Sequence, residues 1–254
     1  WTTTAVPDQH TVLYQLLKHV PEARFKELVK THGSDDAARG LDSKSQLVAL
    51  LYGQLGQFES ALRYADAAVA LSDTSSYVAV AKAVAHTARS TIRSWLGDHQ
   101  LAVADGLAAV TAAGRGTSLF ALQTALVETA AAEQRAGLAD AAAERAGHAA
   151  QLSGAVGHRH LEGRALTTLA AGYLGQGASA HATKQAERAL AIHRETGCRL
   201  EQAVTLHLLG LAADGSERAG YHEQARDLLI ELGITDREQQ QRLVQPAELP
   251  AAAG

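Results

Sequence analysis

Three short segments contain residues that could ligate a metal, act as a nucleophile or bind a phosphate. The segment HRH at 158–160 offers two imidazoles that could ligate a metal ion. Cys198 offers a thiol, which a neighbouring arginine such as Arg199 would activate. The segment GRGTS at 114–118 contains two glycines of the kind that bring backbone amides close to a phosphate group. Metal ligation, thiol chemistry and nucleotide binding are therefore the activities to weigh.

The surroundings of the two histidines favour a connecting role over metal ligation. Side chains two residues apart on a helix point about 200° away from each other, so such a pair chelates well only on a strand or a loop. No carboxylate or cysteine with ligand spacing stands beside them. The stretch GHRHLEGRA at 157–165 also resembles GCRLEQA at 197–203, forty residues later. We predict no metal site.

The other two segments also favour structural roles. GRGTS lacks the lysine of a phosphate-binding loop and follows no apolar strand, so we interpret it as a turn with Thr117 or Ser118 capping a helix. Cys198 is interpreted as a small, partly buried loop residue. No G-x-S-x-G motif is present, and the adjacent Asp35 and Asp36 lie in a polar loop. We therefore predict no catalytic residues and no cofactor, that is, a protein that is not an enzyme.

The chain contains a repeat of about forty residues, and this repeat must position any functional residues. Gly56, Gly97, Gly137 and Gly177 are separated by 41, 40 and 40 residues. Each is followed by alanine at the fifth and twelfth positions, which gives Ala61, Ala102, Ala142 and Ala182, then Ala68, Ala109, Ala149 and Ala189. Glycine permits a tight turn between helices, and alanine permits a partner helix to cross closely. A fixed period of this length is typical of stacked helix pairs.

The predicted fold is all-α, a right-handed α-solenoid of antiparallel helix pairs preceded by a short helical N-terminal segment. Each unit has a first helix, a turn at the periodic glycine, a second helix and a looser connection to the next unit. The predicted pairs are 43–55 with 58–71, 76–95 with 98–112, 117–135 with 138–152, 159–175 with 178–195, and a less regular 199–213 with 219–232.

Composition agrees with this fold and limits the partners. Aromatic residues make up 4% of the chain and hydrophobic residues 46%, with a formal net charge of −4. The charge predicts no general attraction to nucleic acid or to an anionic membrane. A single cysteine and the absence of a long apolar run predict a soluble, cytoplasmic protein. The chain starts at Trp1 and contains no methionine, which predicts a trimmed, partial or engineered sequence.

The units GQFESALRYADAAVAL at 56–71 and GASAHATKQAERALAIHRET at 177–196 resemble tetratricopeptide repeats (TPRs). The likeness covers about 43–240. The forty-residue spacing is similar to the lengthened variant in the helical regions of bacterial regulators of the AfsR and LuxR-related kinds. The resemblance implies a TPR-like array and a role in a regulatory protein. We predict that the array spans 43–244 and that QPAELPAAAG at 245–254 is a flexible tail.

The segment in front of the array has a resemblance of its own. Residues 11–55, which include LLKHVP and SQLVALLYGQL, resemble the small N-terminal domain of IS4-type transposases. In those proteins a catalytic core follows, whereas here a helical array follows, so no transposase chemistry is expected. The domain prediction is a helical N-terminal segment over 1–42 that runs on to about 55 in the first repeat helix.

Two functions follow from these patterns. The favoured one is a non-enzymatic scaffold that binds a protein or peptide in the concave groove lined by the first helices. The candidate lining residues, each expected at an exposed helix position, are Tyr52, Arg89, Arg93, Gln123, Glu133, Arg164, Tyr173 and His207. The alternative is a DNA-associated protein, in which the N-terminal segment contacts DNA. Its candidate contacts are Lys18, Arg24, Lys26 and Lys30, although residues 1–64 carry seven basic and seven acidic side chains.

Overall fold

The computed structural model describes residues 58–74 and 79–235, together with the helical residue Glu27. Within these ranges the chain forms consecutive α-helices and no strand. The helices are α1 (Phe58–Thr74), α2 (Ala79–Leu96), α3 (His99–Gly114), α4 (Leu119–Arg135), α5 (Ala139–Ala155), α6 (Arg159–Gly175), α7 (Ser179–Glu195), α8 (Arg199–Ala212) and α9 (Gly215–Glu231). The predicted all-α solenoid is confirmed.

The helices form two sets that alternate along the chain. We call α2, α4, α6 and α8 the first helices and α1, α3, α5, α7 and α9 the second helices. Each helix packs against the next one in sequence, and each first helix also packs against the next first helix. This extra packing brings the first helices together on one side of the array, where their outward side chains form a common surface.

The turns close on glycines in the left-handed region of backbone space. At Gly137 φ is 77°, and the amide of Leu138 donates to the carbonyl of Glu133 at 2.9 Å. At Gly157, between units, φ is 74° and the same bond runs from His158 to Ser153 at 3.0 Å. These bonds satisfy carbonyls at the helix end, and the conformation strains any residue with a Cβ. The prediction of a looser connection between units is wrong here, because glycine closes both kinds of turn.

The periodic alanines lie where helices cross. Ala61, Ala102 and Ala142 are fully buried, and the twelfth-position alanines are also buried. Ala149 of α5, for example, belongs to a buried cluster with Leu126 of α4 and Ala165 of α6. A second helix therefore contacts its own first helix and the next one through the same small residue. The interpretation of the alanines as close-packing positions is confirmed.

The last pair departs from the repeat at its turn. Helix α9 begins at Gly215, four residues before the predicted start at 219. The two preceding residues, Ala213 and Asp214, are extended, and Nε of Arg218 donates to the carbonyl of Ala213 at 3.0 Å. This side-chain bond satisfies a carbonyl after the end of α8. The left-handed glycine of this turn is Gly215 (φ 58°), the first residue of α9, and it lies off the forty-residue spacing of the earlier glycines.

Several predictions fall outside the described residues. They are the helical N-terminal segment over 1–42 apart from Glu27, the helix over 43–55, the tail over 245–254 and the domain boundaries near 42 and 244. These stay predictions. In the described ranges no helix combines the length and apolarity needed to cross a bilayer.

Candidate partner-binding surface

Arg89 and Arg93, two of the predicted groove residues, turn toward the second helix α3. Nε and Nη2 of Arg89 donate to the carboxylate of Asp105 at 2.9 and 2.5 Å, and Nη1 of Arg93 donates to it at 2.8 Å. His86 Nδ1 lies 3.2 Å from that carboxylate, and both arginines also reach Asp66 of α1. Burial alone would raise the pKa of Asp105, but the bonds from His86 and Arg89 outweigh it and lower the pKa. The network joins α1, α2 and α3.

The same repeat position in the next unit holds a pair of opposite polarity. Glu133 of α4 accepts two bonds from Arg145 of α5, at 2.9 and 2.8 Å. Glu133 and Arg145 lie forty residues after Arg93 and Asp105, so acid and base have exchanged places. The Glu133 side chain is only 3% exposed, which leaves little of it for a partner. Both pairs therefore connect a first helix to the second helix of its own unit.

Tyr173 and His207 also face the second helix of their own unit. The Tyr173 ring packs against His181 of α7, with the ring centroids 5.5 Å apart. His207 packs against His222 of α9 at 4.8 Å. Burial, together with the smaller effect of the neighbouring His222, lowers the pKa of His207 to about 4. Each of these two rings therefore lies between the two helices of its own unit.

Gln123 is fully buried at the start of α4. Its Nε2 donates to the carbonyl of Leu152 at 3.1 Å, and its Oε1 lies 2.5 Å from Nδ1 of His158. Gln123 therefore satisfies backbone and side-chain groups at the connection between α5 and α6. A residue with these partners holds the connection in place and offers no surface to a ligand.

A different set of side chains bridges successive first helices. We call it the inter-unit face, and it consists of Thr91 and Trp95 of α2, Glu128 and Arg135 of α4, and Arg164 of α6. The Thr91 hydroxyl donates to Glu128 at 3.3 Å, and Nη2 of Arg164 lies 2.6 Å from the other oxygen of Glu128. Arg135 donates to the Ser94 hydroxyl at 3.1 Å and lies over the Trp95 ring, 4.9 Å from its centroid. All five side chains remain partly exposed.

The charges of the inter-unit face are mutually dependent. Burial alone would raise the pKa of Glu128, but the charge and hydrogen bond of Arg164 outweigh this effect and lower it. The charge of Glu128 in turn raises the pKa of Arg164. Burial lowers the pKa of Arg135; the charge of Glu128 opposes this shift, and the charge of Arg164 adds to it. The face thus presents an ion pair beside a guanidinium that has no carboxylate within salt-bridge distance among the described residues.

Comparisons with known proteins support the fold. Two crystal structures of a kinesin light chain-type protein of Podosopora anserina, with nearly identical TPR-like repeats, superpose with TM-scores of 0.56 and 0.55. The first is a point variant of that protein, and both are 18% identical to this chain. They cover 78% and 79% of this chain and 94% and 93% of their own.

The fold is therefore a TPR-like helical repeat. At this level of identity the likeness extends to architecture alone. A family model described as a domain of unknown function (DUF4372) matches residues 8–69, which include most of α1. No curated protein matches the sequence significantly.

Within the TPR-like array, one described candidate lies on the inter-unit face, namely Arg164. The prediction that the candidates occupy exposed positions is wrong for Gln123 and Glu133, which are 0% and 2% exposed. Their polar groups form hydrogen bonds to neighbouring parts of the array. The sequence alone does not distinguish a polar residue in such a contact from one that is exposed to solvent. Whether any candidate binds a partner stays a prediction.

The other members of the inter-unit face were not among the residues predicted from the sequence. Glu128, Arg135 and Thr91 are common helix-surface residue types, so nothing in their identity marks them. One signal was available: Glu128 and Arg135 lie seven residues apart on α4, which places them on one side of the helix. The neighbours that they contact come from α2 and α6, and that pairing needed the tertiary structure.

The three chemically suggestive segments take structural positions in the TPR-like array. The Ser118 hydroxyl oxygen accepts a bond from the amide of Ala121 and caps α4, as predicted. Cys198 is partly buried at the turn before α8, and its Sγ lies 3.2 Å from Nδ1 of His160. His158 contacts Gln123 instead, so the two histidines of 158–160 have separate partners. Among the described residues no cluster of three metal-ligating side chains occurs.

The remaining candidates lie outside the described residues. These are the groove candidate Tyr52 and the four candidate DNA contacts Lys18, Arg24, Lys26 and Lys30. Their roles stay predictions.

Proposed function

We propose that the chain is a non-enzymatic scaffold that binds a peptide segment of another protein on the inter-unit face. The observation that carries the proposal is the row of polar and aromatic side chains that joins α2, α4 and α6 while staying partly exposed. A surface made by several packed helices holds its shape without the partner, so little conformational entropy is lost on binding. TPR-like architecture is suited to such extended surfaces.

The position of Ala131 allows a direct test of this surface. Ala131 is partly exposed and lies between Glu128 and Arg135 on the same side of α4, so a large side chain there would cover the inter-unit face. Short random peptides displayed on phage are selected against the full chain, and the affinities of recovered peptides are measured by fluorescence anisotropy. Ala131→Trp is expected to abolish binding.

The matched control is Ala191→Trp, which adds the same side chain at an exposed alanine of the second helix α7. We expect this variant to bind the peptides like the unmodified chain. Equal effects of the two substitutions would place the binding surface elsewhere. Failure to recover any peptide that binds would contradict the proposed function itself.

We also propose a regulatory context, in which the N-terminal segment contacts DNA. Support comes from the resemblance of residues 11–55 to a transposase N-terminal domain, and from the four basic candidates that it contains. A mobility-shift assay over a salt series tests this second proposal. Binding at about 50 mM salt that weakens steeply as salt rises is expected, because counterion release dominates such affinity. No shift at the lowest salt concentration would exclude DNA contact.

A further inference from the structure

Two histidines face each other between the helices of the last described pair. His207 of α8 and His222 of α9 have ring centroids 4.8 Å apart, and their planes are tilted by 51°. The His222 ring also lies close to the backbone of α8, because a Cβ added at Gly210 would lie 2.6 Å from its Cε1 atom. The absence of a side chain at Gly210 therefore permits this approach, and the two imidazoles form part of the contact between α8 and α9.

The contact favours uncharged imidazoles. Nδ1 of His222 is buried and has no hydrogen-bond partner among the described residues. A neutral imidazole can keep its one hydrogen on the other nitrogen, whereas an imidazolium carries a hydrogen on both. Protonation of His222 would thus bury a charged N–H donor without an acceptor, which costs free energy.

The surrounding charges also oppose protonation of the pair. Burial and the nearby His222 lower the pKa of His207, while burial and the charge of Arg218 lower the pKa of His222. Among the described residues no acidic side chain acts on either ring. Helices α6 and α7 also pack on α8, and their titratable rings have other partners: Tyr173 contacts His181, His193 contacts the Thr167 hydroxyl, and His160 contacts the Cys198 thiol.

Helix α9 is weakly anchored to the rest of the array. Within the described ranges it packs mainly on α8, and Ala225 and Leu229 are its buried residues. An ion pair between Arg199 and Glu231 connects the start of α8 to the end of α9. Both of its side chains are about half exposed, so it adds little to the free energy of docking. A modest change in charge at the histidine pair is therefore enough to decide whether α9 stays bound.

We propose that α9 is a pH-sensitive element, which separates from α8 when His207 and His222 take up protons. Separation allows both imidazolium rings to be hydrated. It also uncovers an apolar surface of α8, because Leu206 and Leu209 belong to a buried cluster with Ala225 of α9. Acidification thus changes a closed end of the array into an exposed apolar surface. This device does not depend on peptide binding at the inter-unit face.

The size of the effect follows from His207. Its pKa is about 4 while α9 is bound, against about 6.5 for an ordinary histidine. As the pH falls below about 6.5 the separated state therefore takes up a proton, which the bound state does not accept until about pH 4. Between pH 7 and pH 5, His207 should lower the ratio of bound to separated α9 by about 20-fold, and His222 should add to this change.

Hydrogen exchange of the full chain, followed by mass spectrometry, measures the separation. A free helix of 17 residues is marginally stable in water, so the amides of separated α9 exchange. Protection factors, which correct for the pH dependence of chemical exchange, should fall by about 20-fold or more in α9 between pH 7 and pH 5. Those of α4 should fall less, and binding of the hydrophobic dye ANS should rise. Equal losses of protection in α4 and α9 would indicate unfolding of the whole array and would overturn the proposal.

A double variant tests the two titrating groups. In His207→Gln with His222→Gln, the protection of α9 relative to α4 should no longer fall between pH 7 and pH 5. His148→Gln, the same change at an exposed histidine of α5, should behave like the unmodified chain. A fall in α9 protection that survives in the double variant would refute the role of the pair.

A second pair of variants tests the contact without removing a histidine. Gly210→Ala should displace the His222 ring and lower the protection of α9 already at pH 7. Gly220→Ala, on α9 itself, has open space around the added Cβ and should leave α9 protected. Equal protection of α9 in these two variants at pH 7 would contradict the proposed contact.

Discussion

The reversed polarity of two equivalent ion pairs yields a sharp prediction about stability. The unit formed by α2 and α3 carries Arg93 with Asp105, and the unit formed by α4 and α5 carries Glu133 with Arg145 at the same positions. If the repeat position accepts either polarity, exchanging the charges of the second pair should be tolerated. The exchange that copies the first unit is Glu133→Arg with Arg145→Asp.

The single substitutions should be severe. The Glu133 side chain is 3% exposed and that of Arg145 is 23% exposed. Breaking a buried pair leaves an uncompensated charge, and removal of one partner typically costs 3–5 kcal/mol. Because Arg145 is partly solvated, we expect Glu133→Arg or Arg145→Asp alone to lower the free energy of unfolding by about 3 kcal/mol. For a chain of this size, that corresponds to a fall in melting temperature of roughly 6–12 °C.

Urea and thermal unfolding followed by far-UV circular dichroism measure these effects. The double variant should recover most of the loss, and the difference gives the coupling free energy of the pair in a double-mutant cycle. Glu223→Arg reverses a charge in the exposed pair with Arg226 and should change stability by less than about 1 kcal/mol. A double variant as unstable as either single variant would refute the equivalence of the two positions.

Three further predictions concern stability. Burial lowers the pKa of His193 to about 4, although the charge of Glu201 opposes the shift, so His193 folds neutral. Between about pH 6.5 and about pH 4 the unfolded chain protonates His193 and the folded chain does not, so the free energy of unfolding falls by up to about 3 kcal/mol as the pH is lowered across this range. Urea unfolding at several pH values should therefore show a shallower pH dependence for His193→Gln. An equal pH dependence of the two proteins would contradict this prediction. Ala142→Leu should overpack the helix crossing and cost about 1–3 kcal/mol in urea unfolding, and a neutral result would place the residue away from a tight contact. Gly137→Ala should destabilise the protein by about 1 kcal/mol or more, because φ at this position is positive. Gly147→Ala, inside α5 and with open space around the added Cβ, should stabilise it by about 0.5–1 kcal/mol. Melting temperatures that shift in the same direction for both variants would contradict the turn geometry.

The architecture was accessible from the sequence because local and global requirements coincide at the same residues. Gly137 must end one helix and begin a turn, and Ala142 must lie under a crossing helix, so their identities report the fold directly. The same logic placed the boundaries of α2 to α7 within a few residues. It failed at the start of α9, because the left-handed glycine of that turn, Gly215, lies 38 residues after Gly177 and so departs from the repeat spacing.

The candidate surface was much less accessible. Arg93, Glu133 and Tyr173 lie forty residues apart on the first helices, and each was predicted to occupy an exposed helix position. In the folded array they share a position that faces the second helix of their own unit. The same residue type can be half-buried against another helix or exposed to solvent. Residue identity therefore did not distinguish these buried contacts from an exposed surface.

The repeat itself follows from the sequence alone, because small residues at a constant interval allow helices to cross closely and a glycine at each turn permits the backbone to reverse. Helix packing selects which polar residues remain for a partner. Arg164 and Arg135 occupy the inter-unit face only because α2, α4 and α6 pack side by side. Side chains on three separate helices become neighbours through that packing, and their spacing along the sequence does not reveal it.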